Sequence, residues 1–172
     1  PELVAFLKEY GIILGDNVIV DKGSQLIGKD YFTPVAPLYY QRHPITNGFN
    51  AGTVYHFARS VDFNAPFMDG VSGIALVKTD PESWAETDKN SIEQGRVLFQ
   101  EGEDKEGPIS IAVLVKPLDQ KNKWSVCVFG DSDFINDYYF NILGNRDLVL
   151  NVVSWLAQEE DLISIRPKTT RQ

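Results

Sequence analysis

The chain has a single cysteine, Cys127, so no intrachain disulfide can form and any fold must be held by its core. That leaves the cellular compartment open, because extracytoplasmic bacterial domains often lack disulfides. Histidine is nearly as scarce. His43 and His56 are the only two, and neither has a His, Cys or Glu at ligand spacing, so no zinc motif exists. No apolar run approaches the roughly 18 residues that a membrane-spanning helix needs. Phosphate-cradling glycine loops are missing as well: neither G-x-G-x-x-G nor G-x-x-x-x-G-K-[ST] occurs. Positive charge is in deficit. Sixteen Lys and Arg stand against 24 Asp and Glu, a net charge of -8. The basic residues are scattered apart from Arg166, Lys168 and Arg171 near the end. Nucleic acid and anionic membrane surfaces call for a basic patch, so neither is an expected partner.

What remains is a core-forming composition. Of 172 residues, 43% are hydrophobic and 12% aromatic, enough for one domain that buries a substantial core. The expected domain is 1–168, with 169–172 as a tail. The chain opens at Pro1 with a helix under way, which suggests a fragment of a longer protein.

The most informative stretch is 124–156. Ser125 to Phe129, SVCVF, is a short apolar run of the kind found in a strand covered on both faces, as in a parallel sheet. Gly130-Asp131-Ser132-Asp133 supplies turn and capping chemistry. Asn145 suits an N-cap, with Asp147 in the first turn of the helix that follows. Leu148, Val149, Val152, Trp155 and Leu156 then form one apolar helical face. Elsewhere, a helix is expected over 2–10 with Leu3, Phe6, Leu7 and Tyr10 on one side, and strands over 17–20, 53–61, 71–79, 108–115 and 162–165. The polar 116–123 connection makes the last two strands before the GDSD loop antiparallel neighbours. The overall expectation is an α/β domain with a mixed, mostly parallel sheet flanked by helices and an antiparallel portion.

Ligands of open α/β sheets bind beyond the carboxyl ends of the strands, so the candidate ligand-binding residues cluster at the GDSD loop: Asp131, Ser132, Asp133 and, just beyond, Asn136. His43, in the HPIT loop, is added as a possible partner for a carboxylate. Asp131 and Asp133 have the chemistry to hold Mg²⁺ or Ca²⁺ or to act as acid and base, but helix capping uses the same residues in the same place and is the favoured reading. Ser132 does not sit in a G-x-S-x-G elbow and is flanked by two acids, which disfavours a nucleophile. Cys127 lies between two valines and reads as a buried apolar residue. Trp84, Tyr39 and Tyr40 read as core packing before sugar stacking. No catalytic residue, metal ligand or cofactor is assigned.

Five phrases then carry a resemblance: LKEYGIILGDNVIVD at 7–21, HPIT at 43–46, FARSV at 57–61, KTDPESWAET at 78–87, and VCVFGDSDFINDYYFNILGNRDLVLNVVSWLAQEEDLISIRPK at 126–168. In this order they resemble the extracytoplasmic domain of the gliding-motility-type auxiliary component of ABC transporters. The resemblance implies a class I glutamine-amidotransferase-like or flavodoxin-like α/β sandwich, truncated at its N-terminus. It implies membrane anchoring by segments outside this chain and a place on the periplasmic face of the bacterial inner membrane. Permease and ATPase subunits, or another envelope protein, are the implied partners, with a glycan as a further candidate. The G-x-C-x-G elbow of amidotransferases is missing, so the implied function is non-catalytic binding or interaction. The alternative is a metal-dependent hydrolase or carbohydrate-active enzyme using Asp131 and Asp133.

Overall fold

Strand β10 (Ser110–Pro117) is the hub of the fold, and its first six residues are all buried. The sequence explains why: SIAVLV is apolar on both sides of the strand, so it has no face to offer to water. In the computed structural model, which describes residues 2–64, 69–119, 121 and 124–157, β10 pairs antiparallel with β7 (Val71–Lys78) on one side and β11 (Val126–Phe129) on the other. Strand β4 (Leu38–Tyr39) extends the far side of β7, giving the order β11-β10-β7-β4.

Three smaller sheets surround this one. β1 (Ile12–Leu14) pairs with β6 (Val61–Phe63), and β3 (Val35–Ala36) with β5 (Thr53–Val54). β2 (Val18–Val20), β8 (Trp84–Glu86) and β9 (Lys105–Glu106) form the third. The α-helices are α1 (Glu2–Glu9), α2 (Lys89–Gln94) and α3 (Asn145–Leu156), with single 3-10 segments at Lys22–Ile27 and Asp133–Ile135.

Every strand pairing among the described residues is antiparallel. The expected mostly parallel sheet flanked by helices is therefore overturned, and with it the glutamine-amidotransferase-like or flavodoxin-like arrangement. A short apolar run is compatible with any strand covered on both faces, whichever way its neighbours run. Parallel neighbours also need crossovers of a dozen or more residues, usually helical. Here the long connection from β7 to β10 passes through β8, α2 and β9, and returns the chain antiparallel. The antiparallel β10–β11 neighbours are as expected, but among the described residues β11 is an edge strand with all four residues half-buried, not a strand buried on both faces. The expected strand over 53–61 is broken: β5 ends at Val54 and Phe57 adopts a left-handed φ of 51°. The expected strand over 162–165 lies outside the described residues.

The four-stranded sheet is covered on both faces. On one, Leu76, Ile111 and Leu114 pack with Leu148 and Val152 of α3, and with Ile45, Tyr55 and Phe134. On the other, Val71, Val113 and Val115 pack with Leu7 of α1, Ile12 and Val61. A third cluster joins Val20, Trp84 and Val97 beside the three-stranded sheet. Of the expected apolar face of α1, only Leu7 is buried, while Leu3 and Phe6 are exposed. No helix among the described residues is long and apolar enough to cross a membrane.

Candidate functional site

The carboxyl end of β11 is tied into the fold by Gly130. Its N–H donates to the Ile111 carbonyl at 2.8 Å, and its own carbonyl accepts from the Arg59 N–H at 2.9 Å. A Cβ here would run into the Arg59 carbonyl oxygen, so the close approach of the 56–61 segment requires glycine.

Asp131 follows. Its Oδ2 accepts from the His56 N–H at 2.9 Å and its Oδ1 from the Asp133 N–H at 2.6 Å. Burial raises the Asp131 pKa above the ordinary carboxylate range; these two backbone bonds oppose the rise, and the nearby Asp133 charge adds to it. Both oxygens are thus engaged in holding the broken strand and starting the 3-10 segment. Ser132 is exposed, and its side chain makes no capping bond to that segment. Asp133 is also exposed. Asn136 Oδ1 accepts from the N–H groups of Tyr138 and Tyr139, both at 2.9 Å, and so folds the next turn. Asn145 is not the N-cap of α3, a place taken by Gly144. Its buried side chain bonds the backbone of Val54, Phe134 and Tyr139.

His43 is not part of this group. It is 6% exposed, its Nδ1 accepts from the Ile45 N–H at 3.3 Å, and its ring meets Trp155 edge-on with centroids 4.7 Å apart. Trp155 lies ten residues along α3 from Asn145, about 15 Å along the axis. Burial, with Lys116 adding repulsion, lowers the His43 pKa to about 4, so the ring is neutral at physiological pH. Among the described residues no group of three or more His, Cys, Asp or Glu is placed to hold a metal ion. Burial pushes the Cys127 thiol up to about 12, far from a reactive thiolate. Trp84 is 3% exposed, and the Tyr39 hydroxyl is bonded to Ala36, Ala51 and Thr53.

The loop instead presents aromatic rings that the sequence reading did not single out. The His56 ring stacks on Tyr139 with centroids 5.6 Å apart and meets Phe57 edge-on at 4.8 Å. Phe57 stacks on Phe32 at 4.9 Å, and Tyr139 meets Tyr138 at 4.7 Å. The Lys29 ammonium lies 5.8 Å from the Tyr138 ring centroid and 6.0 Å from that of Tyr139, within cation–π range. Tyr138 is 68% exposed and Phe57 50%. Beneath the rings, the Thr33 hydroxyl donates to Asp30 Oδ1 at 2.9 Å and lies 3.0 Å from His56 Nδ1. A carboxylate only accepts, so the Thr33 proton goes to Asp30 and its oxygen accepts from His56 Nδ1–H. The signal in the sequence was the tandem pairs His56-Phe57 and Tyr138-Tyr139; the left-handed turn that swings Phe57 outward had none.

Compared with protein-family models, with curated proteins and with solved structures, the chain matches none.

Proposed function

We propose that this chain is a non-catalytic binding domain of a gliding-motility-type ABC transporter auxiliary protein, acting at the extracytoplasmic face of the bacterial inner membrane. Its partners in this reading are the permease and ATPase subunits or another envelope protein, and its recognition surface is the aromatic run from Phe57 to Tyr138. The assignment to that family rests on the five sequence phrases alone. The binding role rests on one structural observation: the half-buried carboxylate of Asp131 in the GDSD loop is spent on backbone N–H groups, while large apolar rings beside it face outward. Exposed aromatic side chains with a polar tip are favoured at protein interfaces.

The test is co-expression of the full-length gene product with the ABC subunits encoded beside it. Co-purification that Tyr138→Ser and Phe57→Asn abolish together, with the melting temperature of the domain held, supports the reading. Asn is chosen at 57 because it tolerates a left-handed backbone. Co-purification indifferent to both substitutions, or a gene without ABC neighbours, would sink it.

A further inference from the structure

A cleft lies between the 3-10 segment Lys22–Ile27 and the loop after α2. It has a volume of about 380 Å³ and is lined by Lys22, Tyr31, Gly95, Arg96, Val97 and Leu98. That is within the range of small-molecule sites, about 300–1,000 Å³. We propose that this cleft binds a phosphate ester.

Charge carries the argument. In a chain of net charge -8, this lining holds two cations and no acid. Neither Lys22 nor Arg96 belongs to the ion pairs found among the described residues, which join Lys89 to Asp16 and Lys105 to Asp62. Three acids near these segments in sequence have their carboxylates engaged by other donors. Asp21 accepts from Gly23 N–H and the Ser24 hydroxyl. Glu86 accepts from the Trp84 indole and Asp88 N–H, and Asp88 caps α2 through Asn90 N–H and the Ser91 hydroxyl. The two positive charges therefore stand on one concave surface with no carboxylate in its lining and no ion pair of their own among the described residues.

The shape fits the same chemistry. Gly95 ends α2 with φ of 63° and leaves open space where a side chain would stand. The chain can thus turn there and bring Arg96 beside Lys22. A guanidinium fork grips two phosphate oxygens at once, and an ammonium adds a point charge. Lys22 is held 5.2 Å from the centre of the buried Trp84 ring, which limits its wandering. Tyr31 and Val97 form an apolar wall, and Leu98, 70% exposed, stands at the rim. These surfaces suit the organic part of an ester. No basic run marks the cleft along the chain, because Lys22 and Arg96 come from segments far apart in sequence.

The experiment uses ¹⁵N-labelled protein titrated with sn-glycerol 3-phosphate, with glycerol as the neutral control. In parallel the protein is sedimented with phosphatidylglycerol vesicles and with phosphatidylcholine vesicles. The expected result is saturable shifts of the 95–98 amides with glycerol 3-phosphate and none with glycerol. Binding should weaken about tenfold in Arg96→Gln or Lys22→Gln, one charge-assisted contact being lost, and should weaken further as salt rises. Sedimentation with phosphatidylglycerol alone, lost in both variants, also supports the proposal and makes a lipid headgroup the source of the ester. Failure of both ligands to bind, or binding that neither substitution alters, overturns it.

Discussion

Asn145 and Val54 are bonded to each other in both directions: Asn145 Oδ1 accepts from the Val54 N–H at 2.8 Å, and Asn145 Nδ2 donates to the Val54 carbonyl at 2.9 Å. The carboxamide thereby does for β5 what a neighbouring strand would do. The same Nδ2 also reaches the carbonyls of Phe134 and Tyr139, both at 3.1 Å. One buried side chain ties α3, β5 and the aromatic loop together.

Asn145→Ala should therefore be among the most damaging substitutions outside the apolar core. It strands the Val54 N–H and the Val54 and Phe134 carbonyls, each costing about 1–3 kcal/mol, while the Tyr139 carbonyl keeps the Ile142 N–H. A loss of at least about 3 kcal/mol in urea unfolding is expected. Asn145→Asp should also destabilise, since a carboxylate has no donor for those carbonyls.

His43 makes the domain sensitive to acid. Its folded pKa of about 4 lies below the ordinary histidine value of about 6.5. Stability from the neutral ring is complete above about pH 6.5 and declines as pH falls towards about 4, by as much as about 3 kcal/mol. His43→Gln should flatten that part of the stability profile, and the His43 ring signals in NMR should stay those of neutral imidazole at pH 5.

Asp131 has the opposite sign. Its carboxyl is raised in the folded state, so its contribution is fullest below about pH 3.9 and lessens as pH climbs through the folded value. Asp131→Asn keeps one acceptor of two and does not titrate. The gap in melting temperature between wild type and this variant should be wider at pH 4 than at pH 7. His43 is common to both proteins and cancels from the comparison.

Ser110 is 5% exposed, and its hydroxyl finds no partner among the described residues. Ser110→Ala removes an unpaired buried polar group and should leave the protein as stable or more stable, by about 1 kcal/mol. Thermal unfolding would register this as a rise of a few degrees.

The apolar runs at 71–78, 110–117 and 126–129, and the helical face of α3, were legible in the sequence because burial needs apolar side chains at set spacings, whereas most of the apolar face expected of α1 stays exposed. Strand direction was not. VCVF reads the same at the edge of an antiparallel sheet as at the centre of a parallel one. The break at Phe57 was hidden for a different reason: glycine and asparagine advertise a left-handed turn and phenylalanine does not. Asn145 before an apolar helix looks like a cap, and only the fold reveals that Val54 occupies the space beside it. The turn-forming role of Asp131 was readable from the residues themselves, whereas the peptide it clasps, at His56, lies 75 positions earlier.

Gly130 bears on descent as well as on packing. Exposed loop positions of this domain can drift in sequence, since little in the fold depends on their side chains. Position 130 cannot, because any larger residue would part Arg59 from the end of β11 and release the segment that carries His56 and Phe57. In any protein sharing this ancestry the residue that follows the 126–129 strand should have remained glycine, even where little else of the alphabet survives.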